Sequence, residues 1–256
     1  MYPVLFRIGD FEITSFGALV AVAALVGLWL FHRELTRAGL PLNAVDAGVA
    51  GVVGGMLGAK LLWLLEHLGE ESFAALLLSR GGMSWFGGLA GGVAAGVWMM
   101  RRRRLPIIAV LAAATPALAI GHAIGRIGCF LVGDDYGRPS DQPWAVAFPQ
   151  GLPPTTTPVH PTQLYEALML VPIAVLLFQW RRQGRRDQIV LARYLIAVGV
   201  LRFFIEFLRV NVRVFAGLTV AHLASLCVVA VGIALLVAKA TNDSEWRPGG
   251  AANSNL

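Results

Sequence analysis

Long apolar runs, broken more often by glycine than by charge, set the pattern of this chain. They fall at about 13–31, 45–66, 83–100, 106–125, 163–180, 188–208 and 217–239. A helix needs about 20 apolar residues to cross a hydrocarbon core. Backbone polar groups in lipid must also be paired within the spanning segment, which helices achieve. The pattern therefore predicts an all-α polytopic membrane protein with seven transmembrane helices. Glycines recur four apart, as at Gly51 and Gly55, Gly54 and Gly58, Gly87 and Gly91, Gly92 and Gly96, and Gly121 and Gly125. That spacing lets membrane helices approach closely. Residues 1–240 read as a single seven-helix domain. The polar stretch 241–256 reads as a disordered tail.

Composition removes the main competitors. Of 256 residues, 57% are hydrophobic and 14% are charged, with a mean hydropathy of +0.67. A soluble domain carries about 25% charged residues. A water-soluble enzyme, a disordered chain and a disulfide scaffold are all excluded by that gap. Cys129 and Cys227 both fall in or beside apolar segments, so no disulfide framework is expected. The N-terminal MYPVLFRIGDFEI lacks a basic region and a small-residue cleavage site, and reads as mature sequence.

The net charge of +6 reflects topology rather than nucleic-acid binding. Arg33, Arg37, Arg101 to Arg104, Arg181, Arg182, Arg185, Arg186, Lys239 and Arg247 follow alternate apolar segments. The opposite ends carry fewer basic residues: Arg7, Arg80, Arg126, Arg138, Arg209 and Arg213. The richer side is cytoplasmic by the positive-inside rule. This places the N-terminus outside, the C-terminus in the cytoplasm, and the long loop 126–162 outside. Loops of that length in compact proteins tend to be functional.

Three basic residues fall inside apolar segments: Lys60, Arg193 and Arg202. Arg193 is close enough to a segment end to snorkel. Lys60 and Arg202 lie deeper, and Arg126 ends the fourth segment at the same outer level. A charge at the bilayer centre costs at least about 2.5–3.5 kcal/mol. Three cations at one depth point to a shared anionic ligand, most simply a lipid phosphate, which a planar guanidinium binds through two parallel hydrogen bonds. The competing reading is an internal ion-pair network. Glu206 follows Arg202 by four residues and precedes Arg209 by three, so these share a helical face, and Glu166 is a further partner.

Two dense motifs carry the remaining polar residues. GHAIGRIGCFLVGDDYG (121–137) is expected to leave its helix through Gly125, Arg126 and Gly128, with backbone N–H groups free to help hold an anion. HPTQLYEAL (160–168) opens the next helix at Pro161, where a missing N–H costs nothing. A weaker motif, GGMSWFGGLAGG (81–92), opens the third segment on the same side.

These residues resemble the prolipoprotein diacylglyceryl transferase family. The resemblance runs from about residue 50 to 210 and rests on GGMSWFGG, GRIGCFLVGDDYG, HPTQLYE and RFFIEFLR in that order. It implies an enzyme of the bacterial inner membrane in lipoprotein maturation. The diacylglyceryl group of phosphatidylglycerol would pass to the thiol of the lipobox cysteine behind a prolipoprotein signal peptide, and glycerol phosphate would leave. The implied partners are those two substrates and membrane lipids, with no nucleic acid, metal or organic cofactor.

By the same resemblance Arg126 and Arg202 hold the phosphate, Glu206 and Asp134 orient the arginines or the acceptor, and His160 joins the catalytic group. Lys60, Arg209, Gln163, Tyr165, Glu166, Gly87 and Gly88 belong to substrate binding. Some positions depart from the family pattern. Phe86 stands where the family has a histidine, Cys129 and Val132 where it has asparagines, Lys60 where it has arginine and Asp134 where it has glutamate. Phe16 and Val198 lie near usual tyrosines. A replacement base is sought among Asp134, Glu206, His160 and His122. The departures keep two other readings open, a paralogous transferase with a different acceptor and a catalytically silent phospholipid-binding protein.

Overall fold

The computed structural model describes residues 4–8, 11–70, 72–78 and 82–238. Arg80, Gly81, Lys239, Arg247 and the expected tail 241–256 lie outside them. The apolar runs become helices: α1 (Ser15–Arg37), α2 (Val45–Glu66), the short α3 (Phe73–Leu78), α4 (Trp85–Arg102), α5 (Ile107–Val132), α6 (Thr162–Arg182), α7 (Asp187–Glu206) and α8 (Val220–Val237). Among the described residues there are three antiparallel hairpins: β1 (Val4–Ile8) with β2 (Phe11–Thr14) ahead of α1, β3 (Val146–Phe148) with β4 (Thr155–Val159) between α5 and α6, and β5 (Arg213–Phe215) with β6 (Leu218–Thr219) between α7 and α8. Among the described residues, six helices are long and apolar enough to cross a membrane: α1, α2 with its leading turn, α5, α6, α7 and α8. The expected segment 83–100 forms α4, which falls outside those six; it is rich in glycine and ends on Arg101 and Arg102.

The chain divides into two compact units. One comprises Met1–Leu30 and Leu111–Thr241, and the other is built on Phe31–Val110. In the second, α2 packs on α4 through facing glycines. A Cβ on Gly54 would lie 2.8 Å from the Gly91 carbonyl oxygen, and one on Gly58 would run into the Gly87 carbonyl. Side chains are absent from this seam because two backbones occupy the space. The paired spacing read from the sequence is thus used at 54/58 and 87/91.

In the first unit, α1 lies against α5. A Cβ on Gly128 would meet Phe16 and Leu19 at 3.3–3.4 Å. This contact explains a correction to the sequence reading. The helix does not end at Gly125 and Arg126 but continues to Val132, because Gly128 is a packing position rather than a turn. The turn comes later, at Gly133 (φ 78°) and Asp135 (φ 59°). A backbone anion cradle at residues 125–128 is accordingly not formed, since those N–H groups lie within α5.

The stretch after α5 is folded rather than open. Phe148 on β3 is fully buried, stacked on Tyr136 and edge-on to Phe130. Gly137 donates its N–H to the His160 carbonyl, and Arg138 donates to the Leu208 carbonyl. Beneath it, Ala123, Ala167 and Leu170 form a small core with Val198 and Leu201. That core brings α5, α6 and α7 together one turn from the charged residues of all three.

Candidate functional site

Arg126 is 7% exposed and Glu166 is 1% exposed, although a lone buried ion is costly. Each is matched by the other. Arg126 Nε lies 2.8 Å from Glu166 Oε2, and Arg202 Nη1 lies 3.5 Å from the same oxygen. His122 Nε2 lies 3.3 Å from Glu166 Oε1. One carboxylate from α6 therefore gathers two guanidinium groups and an imidazole from α5 and α7.

A second carboxylate extends the network along α7. Glu206, also 1% exposed, pairs with Arg202 Nη2 at 2.8 Å and lies 3.8 Å from Arg209 Nε. The spacing read from the sequence produces this pairing. Asn211 Nδ2 and Thr219 Oγ1 both donate to Glu206 Oε1, at 2.6 and 2.8 Å. Thr219 also caps α8, accepting from the His222 N–H at 3.3 Å. The cap ties Glu206 to the start of the next helix.

The third carboxylate is Asp135, where the sequence reading had placed Asp134. Arg126 Nη1 donates to Asp135 Oδ2 at 2.8 Å, and Arg209 pairs with Asp135 Oδ1. Asp134 instead offers its backbone carbonyl to Gln163, while Thr162 Oγ1 donates to the Asp135 carbonyl at 2.9 Å. The first turn of α6 thus clamps the turn behind α5. Burial works against ionisation of Asp135, but Arg209 and then Arg126 outweigh it and hold the carboxyl at about 2. Asp134 moves up, first through burial and then through the neighbouring Asp135 charge.

The sign of the Asp135 shift gives a test. A depressed value stabilises the fold above the unfolded value of about 3.9, and that contribution is lost as pH falls through about 2. Asp135→Asn, which tolerates the left-handed backbone, is expected to melt a few degrees below wild type in detergent at pH 7. The gap should stay constant down to about pH 4 and close below it. A gap that shrinks between pH 7 and 5 would contradict the assignment.

Other expected site residues have contacts of their own. His160 Nδ1 lies 3.2 Å from the Tyr165 hydroxyl, which accepts a hydrogen bond from Trp144 Nε1 at 2.7 Å. Gln163 is buried against the turn. Lys60, Gly87 and Gly88 belong to the other unit. Lys60 Nζ lies 4.6 Å from the Trp63 ring centre, and Gly87 and Gly88 face α2 in the glycine seam. Phe86 begins α4 with its side chain partly exposed, edge-on to Trp85. Arg193 lies over the Trp180 ring at 4.7 Å.

Cys129 and Cys227 are both free thiols, as expected. Cys129 Sγ, 3.7 Å from Arg126 Nη1, lies within 4.8 Å of ligand atoms of Asp134 and Asp135. Those three could hold a cation, but both Asp135 oxygens already face arginines. Sequence reasoning missed Asp135, Asn211 and Thr219 as members of the network. The pair of adjacent aspartates was a signal for the first; the other two carried none.

A chain of apolar helices with arginines and carboxylates of three helices interlocked belongs to the class of multi-pass membrane proteins with a buried polar centre. Within that class it belongs to the prolipoprotein diacylglyceryl transferase family, whose profile matches residues 3–238. It is similar to the phosphatidylglycerol–prolipoprotein diacylglyceryl transferase of Rhodospirillum rubrum, 33% identical over 266 aligned positions that cover 97% of this chain and 96% of the relative. The proteins of the same name from Geobacter sulfurreducens and Synechococcus elongatus are each 32% identical. They cover 81% and 92% of this chain, and 82% and 86% of their own lengths.

Proposed function

We propose that this protein transfers the diacylglyceryl group of phosphatidylglycerol to the lipobox cysteine thiol of a prolipoprotein at the bacterial cytoplasmic membrane, releasing glycerol phosphate. The observation that carries the proposal is the fastening of Arg126 and Arg202, from two helices, on the buried Glu166 of a third. A guanidinium has five N–H donors in a rigid fork. It can hold a carboxylate on one edge and a phosphate on another.

In the reaction the thiolate attacks the glyceryl carbon that bears the phosphate, and the C–O bond breaks. The departing phosphate gains negative charge. Donors fixed in advance at that oxygen stabilise the transition state more than the bound lipid, which is what accelerates the step. Glu166, Glu206 and Asp135 keep Arg126, Arg202 and Arg209 from having to reorganise. Asp134, His160, Gln163 and Tyr165 shape the acceptor side. The same reading assigns Lys60, Gly87 and Gly88 to substrate binding, counts α4 as a seventh span with the N-terminus outside, and treats 1–240 as one catalytic domain.

The test uses purified protein in phosphatidylglycerol liposomes with a lipobox-cysteine peptide. The expected result is a diacylglyceryl mass increase on the peptide with one glycerol phosphate released per event. Glycerol phosphate without peptide modification would redirect the reading to a different acceptor. Lipid binding without either product would point to a non-catalytic phospholipid-binding protein, the alternative raised by Phe86.

A further inference from the structure

Attack by a cysteine requires a thiolate, and a free thiol with a pKa near 8.5 supplies only a few per cent of it at pH 7. Three imidazoles lie in the unit that carries the arginine network: His122, His160 and His222. His222 is buried and committed to the Thr219 cap, with Phe203 and Phe207 against its ring. His160 faces the Tyr165 hydroxyl. Among the described residues, His122 alone of the three is paired with a carboxylate, and that carboxylate is Glu166, the anchor of both Arg126 and Arg202.

The geometry is that of a base held by a buried acid. Glu166 is nearly inaccessible while the His122 side chain is 37% exposed, so one edge of the imidazole is fixed and the rest can be reached. An N–H at Nε2 directed at Glu166 leaves the lone pair on Nδ1, the tautomer logic of a nucleophile–base–orienter set. His122 also lies one helical turn before Arg126 on α5. The proton acceptor and the phosphate-binding cation therefore share a helix face and a common carboxylate.

We propose that His122, oriented by Glu166, is the proton acceptor for the incoming thiol. This rests on the diacylglyceryl-transfer reading above. Nδ1 takes the thiol proton as sulfur bonds to the glyceryl carbon. The carbon–oxygen electron pair leaves with the phosphate of glycerol phosphate, and the imidazolium proton passes to that oxygen or to water. The charged groups facing the imidazole are Glu166 on α6, Arg126 on its own helix and Arg202 on α7, the last two through Glu166. The carboxylate balances the charge that the proton brings.

The test compares wild type with His122→Gln, which keeps an amide N–H for Glu166 but cannot relay a proton. Both are assayed in phosphatidylglycerol liposomes with a lipobox-cysteine peptide and with the same peptide carrying selenocysteine. A selenol is already ionised at neutral pH and needs no base. His122→Gln is expected to lose about 10²–10⁴-fold with the cysteine peptide at pH 7. It should stay within a few-fold of wild type with the selenocysteine peptide, which also shows that the variant is folded and binds lipid. The loss with cysteine should shrink as pH rises past about 8.5. A variant within threefold of wild type on cysteine overturns the proposal and leaves the transferase reading standing. An equal, pH-independent loss on both peptides overturns it too, reducing His122 to a support for Glu166. A wild-type protein that modifies neither peptide overturns the transferase reading and this proposal together.

Discussion

Arg126→Ala is expected to reduce diacylglyceryl transfer by at least about 10²–10³-fold, the loss seen when one fixed donor is removed from a developing anion. Arg126 is the most connected cation of the network, with Nε at Glu166 and Nη1 at Asp135, both 2.8 Å away. The Nη1 hydrogen bond to Asp135 and the neighbouring Glu166 charge hold the guanidinium in place before lipid arrives. Arg126→Lys retains the charge but loses the fork, because an ammonium is a point donor. It is expected to remain more than tenfold below wild type. The measurement is peptide mass and glycerol phosphate from the same liposome reaction, with lipid binding followed separately. Lysine at the wild-type rate would show that charge alone suffices and that the planar geometry is incidental.

Glu166→Gln is expected to be the most destabilising change at this site. The carboxylate is 1% exposed and faces Arg126, Arg202 and His122. Removing its charge leaves two guanidinium groups short of a buried counter-ion. Breaking a buried pair by deleting one partner costs about 3–5 kcal/mol, because the survivor stays buried. A denaturant titration in detergent should register that loss. Deleting a surviving charge as well should recover part of it, so Glu166→Gln with Arg202→Gln should cost less than the two single changes added together. Additive losses would mean that Arg202 draws its stability from Glu206 and owes little to Glu166.

Much of this architecture is legible in the sequence because lipid imposes a simple rule on long apolar runs. The run at 45–66 coincides with α2, and that at 188–208 is displaced by one or two residues from α7. Arg202, Glu206 and Arg209 were also legible, since helical spacing puts them on one face whatever surrounds them. The end of α5 was not. Gly125 and Gly128 look like a turn in isolation, and only the contact of Gly128 with α1 makes them helical. Asp134 and Asp135 are chemically equivalent neighbours. Which one meets the arginines is decided by the left-handed backbone at Asp135, a property no composition rule predicts. The His122–Glu166 pair joins residues on different helices, so its signal exists only after α5 and α6 have packed.

The Arg126–Glu166 contact also bears on how the protein is made. α7 enters the bilayer with Arg202 and Glu206 already four residues apart and able to neutralise each other. α5 has no such internal partner for Arg126 within the helix; its acids come from the turn that follows and from α6. At about 5–20 residues per second, Glu166 emerges from the ribosome seconds after Arg126. During that interval the turn behind α5 already offers Arg126 the first of its two acids, Asp135, while the second is still to come. Full neutralisation of Arg126 therefore waits on α6, and Glu166 ties the two helices together only once both have been made.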